Sequence, residues 1–103
     1  MYLIAFYVTK EHADIVKKAM FNAGAGKIGN YEQCCWQTGG LGQFIPCEGA
    51  SPTIGSVNQI ETVTELKVEM VCTPSLIHEV ITALKKAHPY EAPAYHVIKC
   101  EDI

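Results

Sequence analysis

The alternation of apolar and polar residues along the chain predicts four strands. Residues 2–9 are apolar on both faces, which is typical of a central strand. Residues 61–72 alternate strictly and place Glu65, Lys67 and Glu69 together on one face. The remaining predicted segments are strands at residues 31–37 and 95–100 and a long Gly- and Pro-rich loop at residues 38–60.

Apolar residues recur at helical spacing in two further segments. The first predicted helix follows Thr9, a residue type common at helix N-caps, and ends at the glycines of residues 24–26. The second begins at Thr73 and Pro74 and stops before Pro89. The order β-α-β-β-α-β is that of the ferredoxin-like α+β sandwich, in which right-handed crossovers put both helices on one face of a four-stranded antiparallel sheet. The other face is then free to meet solvent or another subunit.

Composition and charge narrow the range of functions. The chain has 103 residues, which suits one domain over residues 1–103. With 8 Lys and Arg against 11 Asp and Glu the net charge is −3, and no basic stripe indicates a nucleic-acid partner. No apolar run reaches the roughly 18 residues that span a bilayer, and no signal peptide is recognisable. The five cysteines, an odd number, fit free thiols in the cytoplasm.

The glycine-rich part of the predicted loop is the first candidate binding segment. Gly39, Gly40 and Gly42, followed by Phe44, would let backbone N–H groups converge on an anion. Neither the P-loop pattern nor the dinucleotide-binding glycine pattern occurs there. Two interpretations therefore remain open, a ligand-binding loop and a tight bend or hairpin tip.

The second candidate is the run His-Pro-Tyr-Glu-Ala-Pro at residues 88–93. Its two prolines hold it extended and stiff, so it would lose little conformational entropy on binding a partner or ion. His88 and Glu91, three residues apart, are candidate ligands of one divalent metal ion. In the alternative, both bond to backbone groups and the segment packs at a subunit contact. The predicted interface residues are Tyr90, Pro93 and Glu65.

No catalytic set is recognisable among the nucleophiles and histidines. Cys47 lies in the predicted loop and is the best candidate for a reactive thiol, but no histidine is placed by sequence to activate it. Cys34 and Cys35 are adjacent, so on a strand their side chains would point to opposite faces. A small thiol-dependent enzyme is therefore the least favoured of three hypotheses, after a ligand-binding regulatory module and a protein-interaction domain without a small ligand.

Six stretches, in order and over almost the whole chain, together match one family pattern. They are residues 23–31, Cys34 with Trp36, residues 40–44, residues 49–55, Glu61 with Glu65, and residues 88–95. On these residues the chain resembles the PII-like (CutA-like) insert domain of the NIF-three-like family, the NGG-interacting-factor-three proteins also known as YqfO. The run at residues 88–93 is also similar to that of CutA, the divalent-cation-tolerance protein.

The resemblance implies a ferredoxin-like domain that forms homotrimers, as PII and CutA proteins do, with residues 38–60 as the counterpart of the PII ligand loop. It also implies that the dinuclear metal site of full-length family members, whose ligands lie in flanking domains, is not carried by this sequence. We therefore expect a non-enzymatic, self-associating regulatory or ligand-binding domain. The expected ligand is a divalent metal ion or a small anion, held where the loop meets residues 88–93.

Overall fold

The computed structural model describes residues 1–103 and confirms the βαββαβ ferredoxin-like fold. Its strands are joined by two helices, and a short 3₁₀ turn (Pro74–Leu76) leads into the second helix. The elements in chain order are β1 (Tyr2–Val8), α1 (Lys10–Asn22), β2 (Trp36–Phe44), β3 (Glu61–Cys72), α2 (Ile77–Ala87) and β4 (Tyr95–Lys99).

The four strands form one antiparallel sheet in the order β2-β3-β1-β4. Strand β1 is central, as its apolar faces predict. Ile4, Phe6 and Val8 lie under the helices and are fully buried. Ala5, on the other face, is also buried, while Tyr7 is half-buried. The apolar residues of β1 therefore contact the helices on one face of the sheet and are buried or half-buried on the other.

The helices pack on one face of the sheet through residues at helical spacing. From α1 the buried side chains are Ala13, Val16 and Met20, and Val80 and Leu84 of α2 meet them in the same core. Full burial of each large apolar side chain stabilises the fold by about 1.5–3 kcal/mol. Neither helix is long and apolar enough to cross a membrane.

The predicted helix boundaries are close to the observed ones, but the capping contacts differ. Thr9 and Thr73 occupy the positions before the two helical segments without a side-chain cap hydrogen bond. The Oγ1 of Thr9 instead lies 3.0 Å from Nδ1 of His12. At the other end of α1, Gly24 has φ +110°, and a Cβ there would collide with Leu76. The glycine at this helix end is therefore required by both backbone conformation and space.

The second strand lies further along the chain than predicted. Residues 31–35 lie outside the strand, with Gln33 at φ 59°, so the prediction of a strand at residues 31–37 was wrong except for its last two residues. The glycine run is strand rather than loop or hairpin tip. It pairs with β3 from Trp36 opposite Glu69 to Phe44 opposite Glu61. Because this ladder satisfies the backbone of both strands, tertiary pairing overrides the low strand propensity of glycine.

Candidate functional site

The helix-free face of the sheet divides into two halves. One half, here named the open patch, consists of Leu3, Trp36, Val71 and Ile98. Val71, Leu3 and Ile98 are register partners across three strands, and Trp36 is 71% exposed and Ile98 54% exposed. Two large apolar side chains, Trp36 and Ile98, are therefore presented to solvent, with the charged Glu69 opposite Trp36 in the register, a feature typical of interaction sites.

A groove of about 680 Å³ occupies the other half of this face. Its floor is the glycine-rich part of β2 together with Tyr7, Glu65 and Lys67. One wall comes from the connecting loop, residues 45–60, and the other from the tract at residues 88–93. The predicted meeting of the middle segment with this tract is thus present in the structure. The volume lies within the range of about 300–1,000 Å³ that is usual for small-molecule sites.

Two glycines leave part of the floor as bare backbone. Gly40 is the register partner of Glu65, so a side chain at position 40 would point to the helix-free face. A Cβ built there would meet nothing within 4 Å. At Gly42, in contrast, a Cβ would collide with the Glu65 carboxylate. Gly39 and Phe44 also line the groove, so all four residues predicted for a ligand loop lie at this site, but on a strand.

Hydrogen bonds tie the two walls of the groove to each other. The backbone N–H of Ser51 donates to Oε2 of Glu91 over 3.0 Å. The hydroxyl of Thr53 donates to the carbonyl of Pro89 over 2.9 Å. Within the connecting loop, the N–H of Asn58 donates to the carbonyl of Pro46, which is buried. The connecting loop therefore closes over the sheet end rather than extending into solvent.

His88 lies beneath the tract and is 6% exposed. Its Nε2 lies 2.7 Å from the carbonyl oxygen of Tyr7, and its Nδ1 accepts the N–H of Tyr90 over 3.1 Å. Because Nδ1 accepts, Nε2 carries the proton and donates to Tyr7. Burial lowers the pKa of His88, which opposes the effects of the Tyr7 hydrogen bond and of Glu65. The imidazole is therefore held neutral as a structural link between β1 and the tract.

The predicted metal pair is not assembled as a ligand set in this geometry. Both ring nitrogens of His88 and Oε2 of Glu91 bond to backbone groups. No group of three or more His, Cys, Asp or Glu side chains lies close enough together to hold an ion. A divalent metal at His88 and Glu91 stays a prediction that this arrangement does not support.

Tyr90 joins the tract to the floor of the groove. Its hydroxyl donates to Oε2 of Glu65 over 2.9 Å, and its ring lies 4.8 Å from that of His88. Burial, followed by the bond to Glu65, raises the pKa of Tyr90 well above its ordinary value, so the hydroxyl stays protonated. Tyr90 and Glu65 thus contact each other within the chain, and Pro93 is half-buried. Their contact with another subunit stays a prediction.

The cysteines differ in their surroundings. Cys47 is exposed on the groove wall, with its Sγ 3.7 Å from the carbonyl of Ile45, and no histidine lines the groove beside it. Cys72 is buried, and burial raises the pKa of its thiol. Cys34 and Cys35 precede β2, so the expectation of opposite strand faces was wrong for this pair.

Sequence reasoning missed part of the groove. Tyr7, which lies on the floor, was not among the predicted site residues. The strand alternation of residues 2–9 could have placed Tyr7 on the face opposite Phe6 and Val8. The ties from Ser51 and Thr53 have no sequence signal, because they depend on how a long loop folds back over the sheet.

Both the sequence and the structure of this chain are similar to those of known proteins. No family model matches the chain. A Mycobacterium bovis protein named GTP cyclohydrolase 1 type 2 homolog is 47% identical over 91 residues, which cover 88% of this chain and 24% of that protein. The structure of a Bacillus cereus protein related to NIF3 superposes with a TM-score of 0.85 and 39% identity, over 98% of this chain and 26% of its own. This chain is a homologue of one part of the NIF-three-like proteins.

The resemblance to the NIF-three-like family is thereby confirmed, and its extent is limited. The chain spans about a quarter of the length of the curated relatives that it matches. The CutA1 structure from Pyrococcus horikoshii has a TM-score of 0.73 at 20% identity, over 100% of this chain and 86% of its own. At that identity the likeness shows a common fold. The NIF-three-like homologue described here therefore has the CutA-like form of the ferredoxin-like fold.

Proposed function

We propose that this NIF-three-like homologue is a cytoplasmic, self-associating module that binds a small ligand in the groove and serves regulation rather than catalysis. The groove carries the proposal, because two segments distant in sequence are tied together over a bare glycine floor. Three polar side chains line it from two elements, namely Glu65 and Lys67 from β3 and Glu91 from the tract. A concave site with apolar walls and few convergent polar groups is the usual form of a small-molecule site.

The one groove hydroxyl in contact with a carboxylate is that of Tyr90, and its raised pKa makes it a poor nucleophile, which supports a binding role for the groove. Cys47 is the only thiol that lines it, and its single hydrogen-bond partner is a backbone carbonyl. The relatives are named as cyclohydrolase homologues, but this chain corresponds to about a quarter of their length. We propose that a cyclohydrolase activity of those whole proteins, where present, resides outside the part that this chain represents.

Calorimetric titration tests ligand binding directly. The panel should include divalent metal ions, inorganic phosphate, nucleotides and small organic ions. We expect saturable binding of at least one class that Gly40→Val removes, because a branched side chain at position 40 would fill the groove floor. Gln37→Val is the control, since position 37 is on the same strand, lies outside the groove lining and, opposite the buried Val68, points its side chain to the other sheet face. Silence of the whole panel would sink the proposal.

A protein-interaction domain without a small ligand is the second candidate function. The observation that favours it is the open patch, where Trp36 is largely exposed. Trp36→Lys separates the two functions, because Trp36 is outside the groove lining and the substitution removes only one exposed hydrogen bond to a groove residue, Thr38. If the Trp36→Lys variant loses assembly but still binds the ligand, the two halves of the face have separate roles. If the wild-type chain assembles but binds no ligand of the panel, interaction alone is favoured.

A homotrimer is the form of self-association that we propose. The support is the CutA-like fold together with the exposed apolar half of the sheet face. Of the residues predicted at the interface, Glu65 and Tyr90 line the groove and Pro93 follows in the tract, and none of them lies in the open patch. We propose that the open patch forms the centre of the contact and that these residues lie at its margin.

A further inference from the structure

The groove carries an excess of negative charge. Three of its lining residues are charged at neutral pH, and these are Glu65, Glu91 and Lys67. The Nζ of Lys67 lies 3.9 Å from Oε1 of Glu69, outside the groove lining, so part of its positive charge is already balanced. A bound cation would therefore meet two carboxylates and one partly neutralised ammonium group.

Both carboxylates are held in place and keep one oxygen for a ligand. Oε2 of Glu65 accepts the hydroxyl of Tyr90, and Oε2 of Glu91 accepts the N–H of Ser51. Neither Oε1 has a hydrogen-bond donor within the protein. Oε1 of Glu65 lies directly over Gly42, at the floor of the groove. A fixed acceptor of this kind binds a charged donor with little loss of side-chain entropy.

Aromatic rings and bare backbone shape the same space. The rings of Tyr7, Phe44 and Tyr90 line the groove, and the surface of Gly40 in its floor is uncrowded. Glycine weakens a strand, and in a strand interior it often marks a place where a ligand or another backbone approaches closely. At Gly40 no group of this chain makes that approach, so the space suits a flat group lying against the strand.

We infer that the groove selects a planar organic cation, of the amidinium or guanidinium class carried on a ring. This inference rests on the proposed ligand-binding function. The flat group would lie over Gly40 between the aromatic rings, where a cation is attracted to the ring faces. Its N–H groups would donate to the free oxygens of Glu65 and Glu91. A divalent metal lacks a third ligand here, and an anion would face two carboxylates.

Three probes of nearly equal size separate the effect of charge from that of shape. Benzamidine is a planar cation, benzamide is its neutral counterpart and benzoate is the corresponding anion. Binding to the intact chain should be measured by calorimetry and by chemical-shift changes at groove residues. We expect benzamidine to bind about tenfold or more tightly than benzamide, because charge-assisted hydrogen bonds replace neutral ones, and benzoate to bind most weakly.

Five variants locate the effect. Glu65→Gln and Glu91→Gln should each weaken benzamidine binding about tenfold while leaving benzamide nearly unchanged. Lys67→Gln should strengthen benzamidine binding, since it removes a like charge. Gly40→Val should abolish it. Gln37→Val, on the other face of the same strand and outside the groove lining, should bind like the wild type.

The outcomes distinguish this inference from the function on which it rests. Benzoate binding as tightly as benzamidine, and lost in Gly40→Val, would overturn cation selectivity while the groove remained a ligand site. No benzamidine binding up to about 10 mM, well above a weak dissociation constant, would also overturn it. The titration with metals, phosphate and nucleotides then decides the proposed function separately.

Discussion

His88 shows how one side chain can join three parts of this fold. It follows α2, donates to β1 at Tyr7 and accepts from the tract at Tyr90, and its ring meets Phe6 edge-on at 6.3 Å. A buried side chain with both nitrogens satisfied stabilises the fold, and its removal leaves two backbone groups without partners. The proline that follows it prevents the helix from continuing, so the ring is free to turn inward.

Truncation of this side chain should be costly. We expect His88→Ala to lower the free energy of unfolding by about 2–4 kcal/mol, since it removes buried contacts and leaves the Tyr7 carbonyl and Tyr90 N–H unpaired. Urea denaturation measures the change. His78→Ala, at an exposed position of α2, is the control and should change stability little. Equal stability of the two variants would contradict a structural role for His88.

The lowered pKa of His88 also predicts a pH dependence. Burial, helped by the charge of His12, lowers the pKa of His88 in the folded form below the ordinary value of 6.5. The hydrogen bond to Tyr7 and the charge of Glu65 act in the opposite direction but do not reverse the shift. Below about pH 6.5, His88 therefore binds more protons in the unfolded chain than in the folded one, so its contribution to stability is fully present above that point and is lost as the pH drops. Protonation at Nδ1 would also displace the N–H of Tyr90.

The difference between wild type and His88→Gln isolates this effect from the carboxylates. Urea midpoints between pH 7.5 and 5.5, in about half-unit steps, should fall more steeply for the wild type than for the variant. Parallel pH profiles of the two proteins would show that His88 does not titrate differently in the folded and unfolded states.

At the scale of elements, β2 is the segment in which local preference and tertiary structure disagree. Glycines are poor strand formers, yet residues 39, 40 and 42 all pair with β3. β3 determines the outcome, because its twelve residues present an edge long enough to pair with all of β2. The connecting loop, residues 45–60, then folds back over the sheet.

Replacing an exposed strand glycine should stabilise the chain. Gly39→Thr and Gly40→Thr each have open space for a Cβ, and we expect each to raise the unfolding free energy by about 0.5–1 kcal/mol. Thermal and urea denaturation provide the measurement. Destabilisation by both variants would mean that residues 39 and 40 are not in a regular strand.

The same elements show how much of the fold the sequence could predict. β3 was predicted with its observed bounds, because residues such as Val68 and Met70 alternate with charged neighbours over a long run. The central position of β1 also followed from its apolar residues. β2 could not be placed, since Trp36 and Phe44 bracket a glycine run whose pairing depends on β3 and not on its own composition.

The groove was predictable in outline but not in detail. Residues 38–60 and 88–93 were identified from their length and prolines, and the structure brings them together. The roles within them could not be predicted, because they depend on distances set by the sheet register. The bonds of His88 to Tyr7 and of Tyr90 to Glu65 join residues 81 and 25 positions apart. Spacing along the sequence instead suggested that His88 and Glu91 act together as metal ligands.

At the scale of the whole molecule, the helix-free face provides two surfaces with different chemistry. The groove half is concave, polar at its floor and closed by hydrogen bonds between its walls. The open patch is apolar, with Trp36 as the single tryptophan of the chain. Such a division allows a ligand in the groove and a neighbouring copy on the patch to be bound at the same time.

The tryptophan therefore reports on assembly. On self-association we expect the emission of Trp36 to shift to shorter wavelength as the ring leaves water, whereas a ligand in the groove should change it little. A dilution series followed by fluorescence tests this expectation. Constant emission over a range in which the mass changes would place the contact elsewhere on the molecule.

The solution mass of the chain tests most directly whether the helix-free face is an interaction surface. Sedimentation equilibrium should give three times the 11.3 kDa of one chain for the wild type, and Trp36→Lys should reduce this to the mass of a single chain. A wild-type protein that stays at 11.3 kDa at every concentration would contradict the account.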